Sequence, residues 1–262
     1  MPKVFLRSAG LRSIRPSVET RHAALAHPVV GELRAAGVLD ESDSVDRAVV
    51  EWLTVLARRD VALLISMRTP DSGDKITGAL LARFAEWWVV MERSEDLVRI
   101  GGAGTSTVEG AANAVIRAQI ERICGSNTPA RLRPVTLDAD ALQEKATSRQ
   151  ALDAFLASQR LDTDQLQILK MAADVEQSAQ AGIVAVQSGL AAAGPTRTHV
   201  EQSAVTIIDT PEGRIIAEHE PSAGKKWMIL APGTTSNVTA AVNRMMRRLP
   251  ANEEWYSYRK VV

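Results

Sequence analysis

This 262-residue chain reads the same way twice, and that repetition limits its architecture more than any other feature. Residues 44 to 124 give a helix, a strand, a polar loop, three strands and a helix, and residues 163 to 249 give the same order again. One pair of segments shares residues as well as pattern. GTSTVEGAANAVI follows a strand in the first half and GTTSNVTAAVNRMM follows one in the second, with Gly104 and Gly233 129 residues apart. Val108, Ala111, Ala112, Val115 and Ile116 then match Val238, Ala241, Val242, Met245 and Met246, each 130 residues on. Two amphipathic helices can agree in pattern by chance, so it is the shared Gly-Thr at the strand exit that favours duplication. Two such halves, 1–130 and 131–262, can pair their sheets about a pseudo-twofold axis. The product is one compact unit of α+β class, a continuous antiparallel layer with helices covering one face.

Local signals fill in the elements. The helical period from about Val18 to Leu39, with Pro28 suited to a first turn and Gly37 to a C-terminal cap, predicts two short helices. Asp43 or Ser44 is the expected cap of a helix burying Val45, Val49, Trp52, Leu53 and Leu56. VALLISM reads as a strand buried on both sides, followed by the polar loop TPDSGDK and a meander of GALLARFAE, WWVVMER and DLVRIGG, with a hairpin at Ser94 to Asp96. A helix starting at Ser106 or Thr107 ends at Gly125. Between Leu137 and Ala173 three helices are expected, capped near Asp138, Ser148 and Thr163. AGIVAVQSG, SAVTIID, RIIAEH and KKWMILA read as four strands, with a turn at Pro211-Glu212-Gly213, and a helix from Ser236 to Leu249 follows. The tail NEEWYSYRKVV carries three aromatic residues and is expected to dock on the body.

Composition and motifs exclude more than they assign. Lys plus Arg and Asp plus Glu both number 31, so no net charge draws nucleic acid or an anionic membrane surface. No run of about 18 apolar residues suits a membrane span, and the N-terminal stretch lacks the apolar core of an export signal. The single cysteine, Cys124, reads as a small buried apolar residue in a reducing compartment. His22, His27, His199 and His219 show no metal-ligand spacing, and no G-x-S-x-G elbow is present. Asp138 with Asp140 and Asp162 with Asp164 sit where helix starts explain them, while an acid/base pair assembled from distant positions stays open. IGGAGTSTVEG lies where a phosphate-binding turn would, but residue 107 is threonine where G-x-G-x-x-G needs glycine. An α/β enzyme or small-ligand protein using the Gly101 to Gly104 turn is therefore the alternative. Of Trp87 and Trp88, one ring is expected in the core and the other under a helix. Arg244, Arg247 and Arg248 read as a solvated basic cap.

Several segments together resemble a known family. SAVTIIDTPEGRII and KKWMILAPGTTSNVTAAVNRMMRRLP, with EWLTVLARRD, RFAEWWVVMER, LRPVTLDADAL, QRLDTDQLQ and EWYSYRKVV, resemble the EspG proteins, chaperones of mycobacterial type VII (ESX) secretion, and within them the branch of the second ESX locus. The resemblance spans about Ala9 to Val262. It implies an EspG-like fold of two quasi-symmetric halves around a central antiparallel sheet, flanked by helices and helical bundles. It also implies a non-enzymatic cytoplasmic protein without metal or cofactor, monomeric or weakly dimeric when empty. Its partner would be a PE–PPE heterodimer, held at the tip of the PPE helices and kept soluble before export. The contacts the family implies fall on the loop Thr69 to Thr77, with Asp71, Ser72, Gly73, Asp74 and Lys75, and on the strand Gly182 to Gly189, with Ile183, Ala185, Gln187 and Ser188. Family members begin with an apolar strand, for which only KVFLR is available here. Either KVFLR substitutes or the start lies upstream.

Overall fold

A single antiparallel sheet runs through both halves of the chain in the computed structural model, which describes residues 4–7, 24–72, 77–94, 97–189, 198–222 and 224–260. The first half supplies β1 (Val4–Arg7), β2 (Val61–Arg68), β3 (Thr77–Phe84), β4 (Trp87–Ser94) and β5 (Leu97–Thr105). The second supplies β6 (Val135–Asp138), β7 (Ala179–Ser188), β8 (Thr198–Val200), β9 (Val205–Thr210), β10 (Gly213–Ser222) and β11 (Lys225–Pro232). Their spatial order is β1-β5-β4-β3-β2-β7-β9-β10-β11-β6, with β8 paired to β7. Each half is thus a meander, and β2 meets β7 at the centre over eight paired positions, from Val61 opposite Gln187 to Arg68 opposite Gln180. β1, within KVFLR, is the edge strand on β5, and β6 occupies the matching edge on β11.

The helices among the described residues are α1 (Val30–Ala35), α2 (Arg47–Arg58), α3 (Glu109–Cys124), α4 (Ala139–Lys145), α5 (Arg149–Ser158), α6 (Thr163–Ala173) and α7 (Thr235–Arg247). They cover both faces of the sheet, not one as the duplication argument supposes. α3 and α7 lie on one face, where Ala112, Ile116, Val242, Met245 and Met246 join Leu63, Ile65, Leu81, Ile183 and Ile207 in the main core. On the other face α2 packs Val55 onto Val89 and Ile100, and α5 and α6 pack Phe155, Leu156, Ile168 and Leu169 onto Ile208, Ile215 and Leu230. The reason is the alternation of the strands: β4 and β10 carry apolar residues on both sides, so one helical layer would leave half of them in water.

Most cap signals hold, and the exceptions have local causes. α1 ends in a Schellman turn, with Gly37 at φ 69° and Val38 N–H bonded to Leu33 O, as the glycine suggests. The first part of the expected helical stretch, 18–23, lies outside the described residues. α2 is capped by Asp46, whose carboxylate accepts from Ala48 and Val49, because Asp43 turns away to pair with Arg34; Val45 therefore precedes the helix and is exposed. Asp138 and Ser148 cap α4 and α5, while α6 is capped by Asp162 in a capping box with Gln165, one residue before the expected Thr163. β6 overlaps the start of the stretch Leu137 to Ala173 expected to be helical; its buried Val135 and Leu137 alternate with exposed Thr136 because it closes the β11 edge. The 130-residue register pairs buried Ala112 and Ile116 with buried Val242 and Met246. It fails at Val108, which sits before α3 and is 59% exposed, whereas Val238 is inside α7 and buried. α7 starts nearer its glycine than α3 does.

Hydrogen bonds to these carboxylates set the acid limb of stability. The backbone N–H of Gln165 and the Arg133 guanidinium hold Asp162 below the usual carboxylate range; Ala141 N–H does the same for Asp138, Glu176 N–H for Asp174, and the Arg247 guanidinium for Glu109. Each group has a lower pKa folded than unfolded, so its contribution is complete above the unfolded value and is lost as pH falls through the folded one. The urea midpoint is expected to be flat from neutral pH to about 5 and to fall steeply below about 4. A midpoint unchanged down to about pH 2.5 contradicts these assignments.

Candidate partner-binding surface

Among the described residues, helices leave uncovered a strip of the central sheet on the α2 side, at the join of the halves. In β2 the residues facing α3 and α7, Val61, Leu63 and Ile65, are buried, while on the opposite face Leu64 is 43% exposed and Ser66 is open. The expectation of a strand buried on both sides therefore holds only for its first residues. Leu64 pairs with Leu80 on β3 and with Val184 on β7, both half-buried, and Ser66 pairs with Gly78 and Gly182. The result is a short apolar strip with small residues at one end, running across the boundary between halves.

Beside it lies a cavity of about 700 Å³ between α4 and β10–β11, lined by Leu142, Ala204, His219, Pro221 and Met228 among others. Ala204 immediately precedes Val205, the partner of Ile183, so the link between β8 and β9 that lines the cavity also borders β7 at the strip. Asp140 and Lys226 stand exposed at the mouth, where the Lys226 N–H lies 3.3 Å from an Asp140 carboxylate oxygen.

The residues that the sequence singles out are placed unevenly around this surface. Asp71 is exposed in a 3-10 turn, Pro70–Ser72, at the exit of β2; the backbone of Ser72 closes that turn, and Gly73, Asp74 and Lys75 lie outside the described residues. The turn leaves the sheet beside Gln180, where Arg68 pairs with it and donates to Val175 O at 3.1 Å. Ile183 and Ala185 are fully buried on the α3–α7 side, with Gln187 beside them. Gln187 accepts from the backbone N–H of Ala251 at 2.9 Å, and Ser188 accepts through its carbonyl from Tyr258 Oη at 2.9 Å. Gln187 and Ser188 stand seven or more residues along β7 from Gln180, about 23 Å away, so the structure does not bring them to the loop. Leu64, Leu80, Val184 and the cavity were missed because a continuous apolar run carries no sign of which face is covered.

The glycine turn has a packing explanation instead of a ligand one. Gly101 to Gly104 lie inside β5, where a bulge opposite Trp88 and Val89 interrupts the register. A Cβ at Gly102 would stand 3.3 Å from Trp52 Nε1 of α2, and one at Gly104, φ 138°, would stand 3.1 Å from Val115 of α3, so these glycines admit helices on both faces. The first turn of α3 already holds Glu109, bonded to Arg247 at 2.8 to 3.0 Å, which opposes an anion there. The enzyme alternative thus loses the turn it used. Among the described residues no group of three or more His, Cys, Asp or Glu could hold a metal, and burial pushes the Cys124 thiol up to about 11. Two surface readings also change. Trp88 is core, its Nε1 donating to Ser106 Oγ at 2.7 Å, but Trp87 begins its strand and is 54% exposed. Arg244, Arg247 and Arg248 face Glu218, Glu109 with Glu253, and Glu201, so they join elements of the fold where a solvated cap was expected.

Comparison with known proteins agrees with this architecture. A model of the EspG family matches residues 12–244. The chain is 47% identical over 253 residues to the ESX-2 secretion-associated protein EspG2 of Mycobacterium tuberculosis, covering 97% of this chain and 91% of that protein. It is 24% identical over 249 residues to the ESX-1 secretion-associated protein EspG1 of Mycobacterium marinum, covering 91% and 80%. Among solved structures, the type VII secretion system chaperone EspG5 of Mycobacterium tuberculosis, determined in complex with a PE25–PPE41 dimer, superposes with a TM-score of 0.68 at 19% identity over 88% of each chain. No helix among the described residues is long and apolar enough to cross a membrane. With a family match over most of its length and a relative nearly half identical across it, the chain belongs to the EspG family.

Proposed function

We propose that this protein is a cytoplasmic chaperone of type VII (ESX) secretion that binds a PE–PPE heterodimer through the open strip of its central sheet and catalyses no reaction. The observation that carries the reading is Leu64, 43% exposed at the middle of the sheet in a strand whose neighbouring apolar residues Val61, Ala62, Leu63 and Ile65 are all buried. Apolar surface at the centre, rimmed by polar residues, is the make-up of a protein-binding patch. The relative solved with a PE25–PPE41 dimer supports the choice of partner class. The loop residues Asp71, Ser72, Gly73, Asp74 and Lys75 are assigned the polar rim, Asp71 being exposed at its start. β7 takes part through Gly182 and Val184, while Ile183, Ala185 and Gln187 hold that strand from behind and Ser188 ties its end to Tyr258. Halves 1–130 and 131–262 act as one unit, because the partner lies across the β2–β7 seam, and the empty protein is a monomer or weak dimer.

Co-expression with neighbouring PE and PPE proteins, affinity capture and gel filtration are expected to yield a stoichiometric three-protein complex. Leu64→Asp with Val184→Asp, which places two charges on the strip, is expected to reduce capture at least tenfold. Asp71→Lys with Asp74→Lys is expected to weaken capture less, through the association rate. Circular dichroism should be unchanged in both. Full capture by the strip variant removes the docking surface from this face.

A further inference from the structure

We propose that the cavity beside the strip takes an aromatic side chain bearing a hydrogen-bond donor, a tryptophan or tyrosine of the bound partner, and that His219 Nε2 accepts from it. This deepens the docking reading above and rests on it for the source of the side chain. His219 lies in β10 opposite Met228 of β11, two residues beyond Ala217, which packs with Leu230 beneath the α4–α6 helices. It therefore faces the α4 side and lines the cavity. Its Nδ1 stands 3.3 Å from Ala204 O. A carbonyl oxygen only accepts, so in the neutral ring that contact selects the Nδ1–H tautomer, whose lone pair is on Nε2. Nε2 has no hydrogen bond among the described residues and is not a buried nitrogen, so it opens into the cavity.

The surroundings decide what that lone pair can meet. Leu142, Pro221 and Met228 make the neighbouring wall apolar, so a large apolar body is favoured. An aliphatic occupant would strip water from Nε2 and give nothing back, and a charged one would lose water against methionine and leucine while meeting both signs, since Asp140 and Glu201 line the cavity together with Lys226. Tryptophan and tyrosine combine the required bulk with a single donor at one end, and the Met228 sulfur suits an aromatic ring edge. Ala204, next to the Val205–Ile183 pair, places the cavity within reach of anything lying on the strip.

The test uses the full chain and two probes of almost the same shape, indole and 1-methylindole, which lacks the N–H. In carbon-detected NMR, indole is expected to shift the Met228 methyl and the His219 ring, and 1-methylindole to bind at least tenfold more weakly. His219→Phe should bind the two alike, and His219→Gln, which keeps an acceptor, should restore the preference for indole. Equal binding of both probes by the wild type, or no shift with indole up to its solubility, overturns the proposal. Neither measurement needs a partner, so this outcome stands apart from the capture result for Leu64→Asp with Val184→Asp.

Discussion

Replacing Arg214 with alanine is expected to cost about 3–5 kcal/mol, the toll of breaking a buried ion pair, and to lower the melting temperature by roughly 10 °C. The side chain is 7% exposed and forms a fork on Asp209, Nε to Oδ1 and Nη2 to Oδ2 both at 2.7 Å. Its remaining N–H groups donate to Gly125 O and Cys124 O at 2.9 Å, the last carbonyls of α3, where the helix dipole favours a cation. The Arg214 backbone is equally engaged: its N–H donates to Thr128 O, and its carbonyl accepts from Ala130 and from Gly233. Gly233 is forced by this contact, since a Cβ there would overlap the Arg214 side chain. Arg214→Lys should recover little, because one ammonium cannot span both carboxylate oxygens and both carbonyls. Arg214→Met with Asp209→Leu should lose less than Arg214→Ala alone, since no carboxylate is then left unpaired and only the two carbonyls are. Urea unfolding of the three variants checks the order; a loss under about 1 kcal/mol for Arg214→Ala contradicts it.

The Arg214 junction shows where sequence reading stops. Both glycines that the repeat singles out are explained by what approaches them: Gly104 by Val115 of the following helix, Gly233 by Arg214 of a strand in its own half. Their match suggested one turn used twice, but the contacts differ, because each half packs its helix at a different distance from the strand exit. Strand and helix identities were legible since alternation and capping are local: the four second-half strands and the caps at Asp138 and Ser148 follow from neighbours a few residues away. Asp209 is only five residues from Arg214, but the two carbonyl partners lie 89 and 90 residues earlier, and no pattern within RIIAEH marks its arginine as buried. The same limit applies to the candidate surface. Alternation assigns Leu64 and Leu63 to opposite faces, but only the placement of α2 and the α4–α6 bundle decides which face stays open. The loop at Asp71 was legible as a polar break, whereas the burial of Ile183, Ala185 and Gln187 depends on α7 and on the tail beyond it.

That tail carries the second large effect. Deleting residues 251–262 is expected to leave a protein that melts more than about 10 °C lower or fails to accumulate. Trp255 is fully buried in the main core, and Ala251, Tyr256 and Tyr258 pack against it. Truncation to alanine at Trp255 alone should cost about 3–5 kcal/mol. The tail also closes a polar interlock over the β2–β7 seam. Arg83, fully buried on β3, donates to Trp255 O at 3.0 Å, Tyr258 O at 2.8 Å and Ala85 O at 2.6 Å. Asp60, equally buried, accepts from Lys260 N–H at 3.0 Å and Ala85 N–H at 2.9 Å. Burial lowers the Arg83 pKa to about 10, with Asp60 opposing that shift. Its charge is thus a burden on the native state at neutral pH that eases only as pH rises through that value. Removing the tail leaves this guanidinium and carboxylate short of partners in the core, a heavier penalty than the apolar area alone. Arg83→Ala with Trp255→Ala should therefore be clearly non-additive, whereas Trp255→Ala with Leu156→Ala, in separate cores, should be additive within about 0.5 kcal/mol. Tyr258 Oη bonds to Ser188 O and Gly189 O at 2.9 and 3.0 Å, so the loss should be felt first at the end of β7. Hydrogen exchange is expected to show Gln187 and Ser188 unprotected in the truncated chain, with Leu81 still slow. A truncated chain that melts with the full-length protein rules out the interlock.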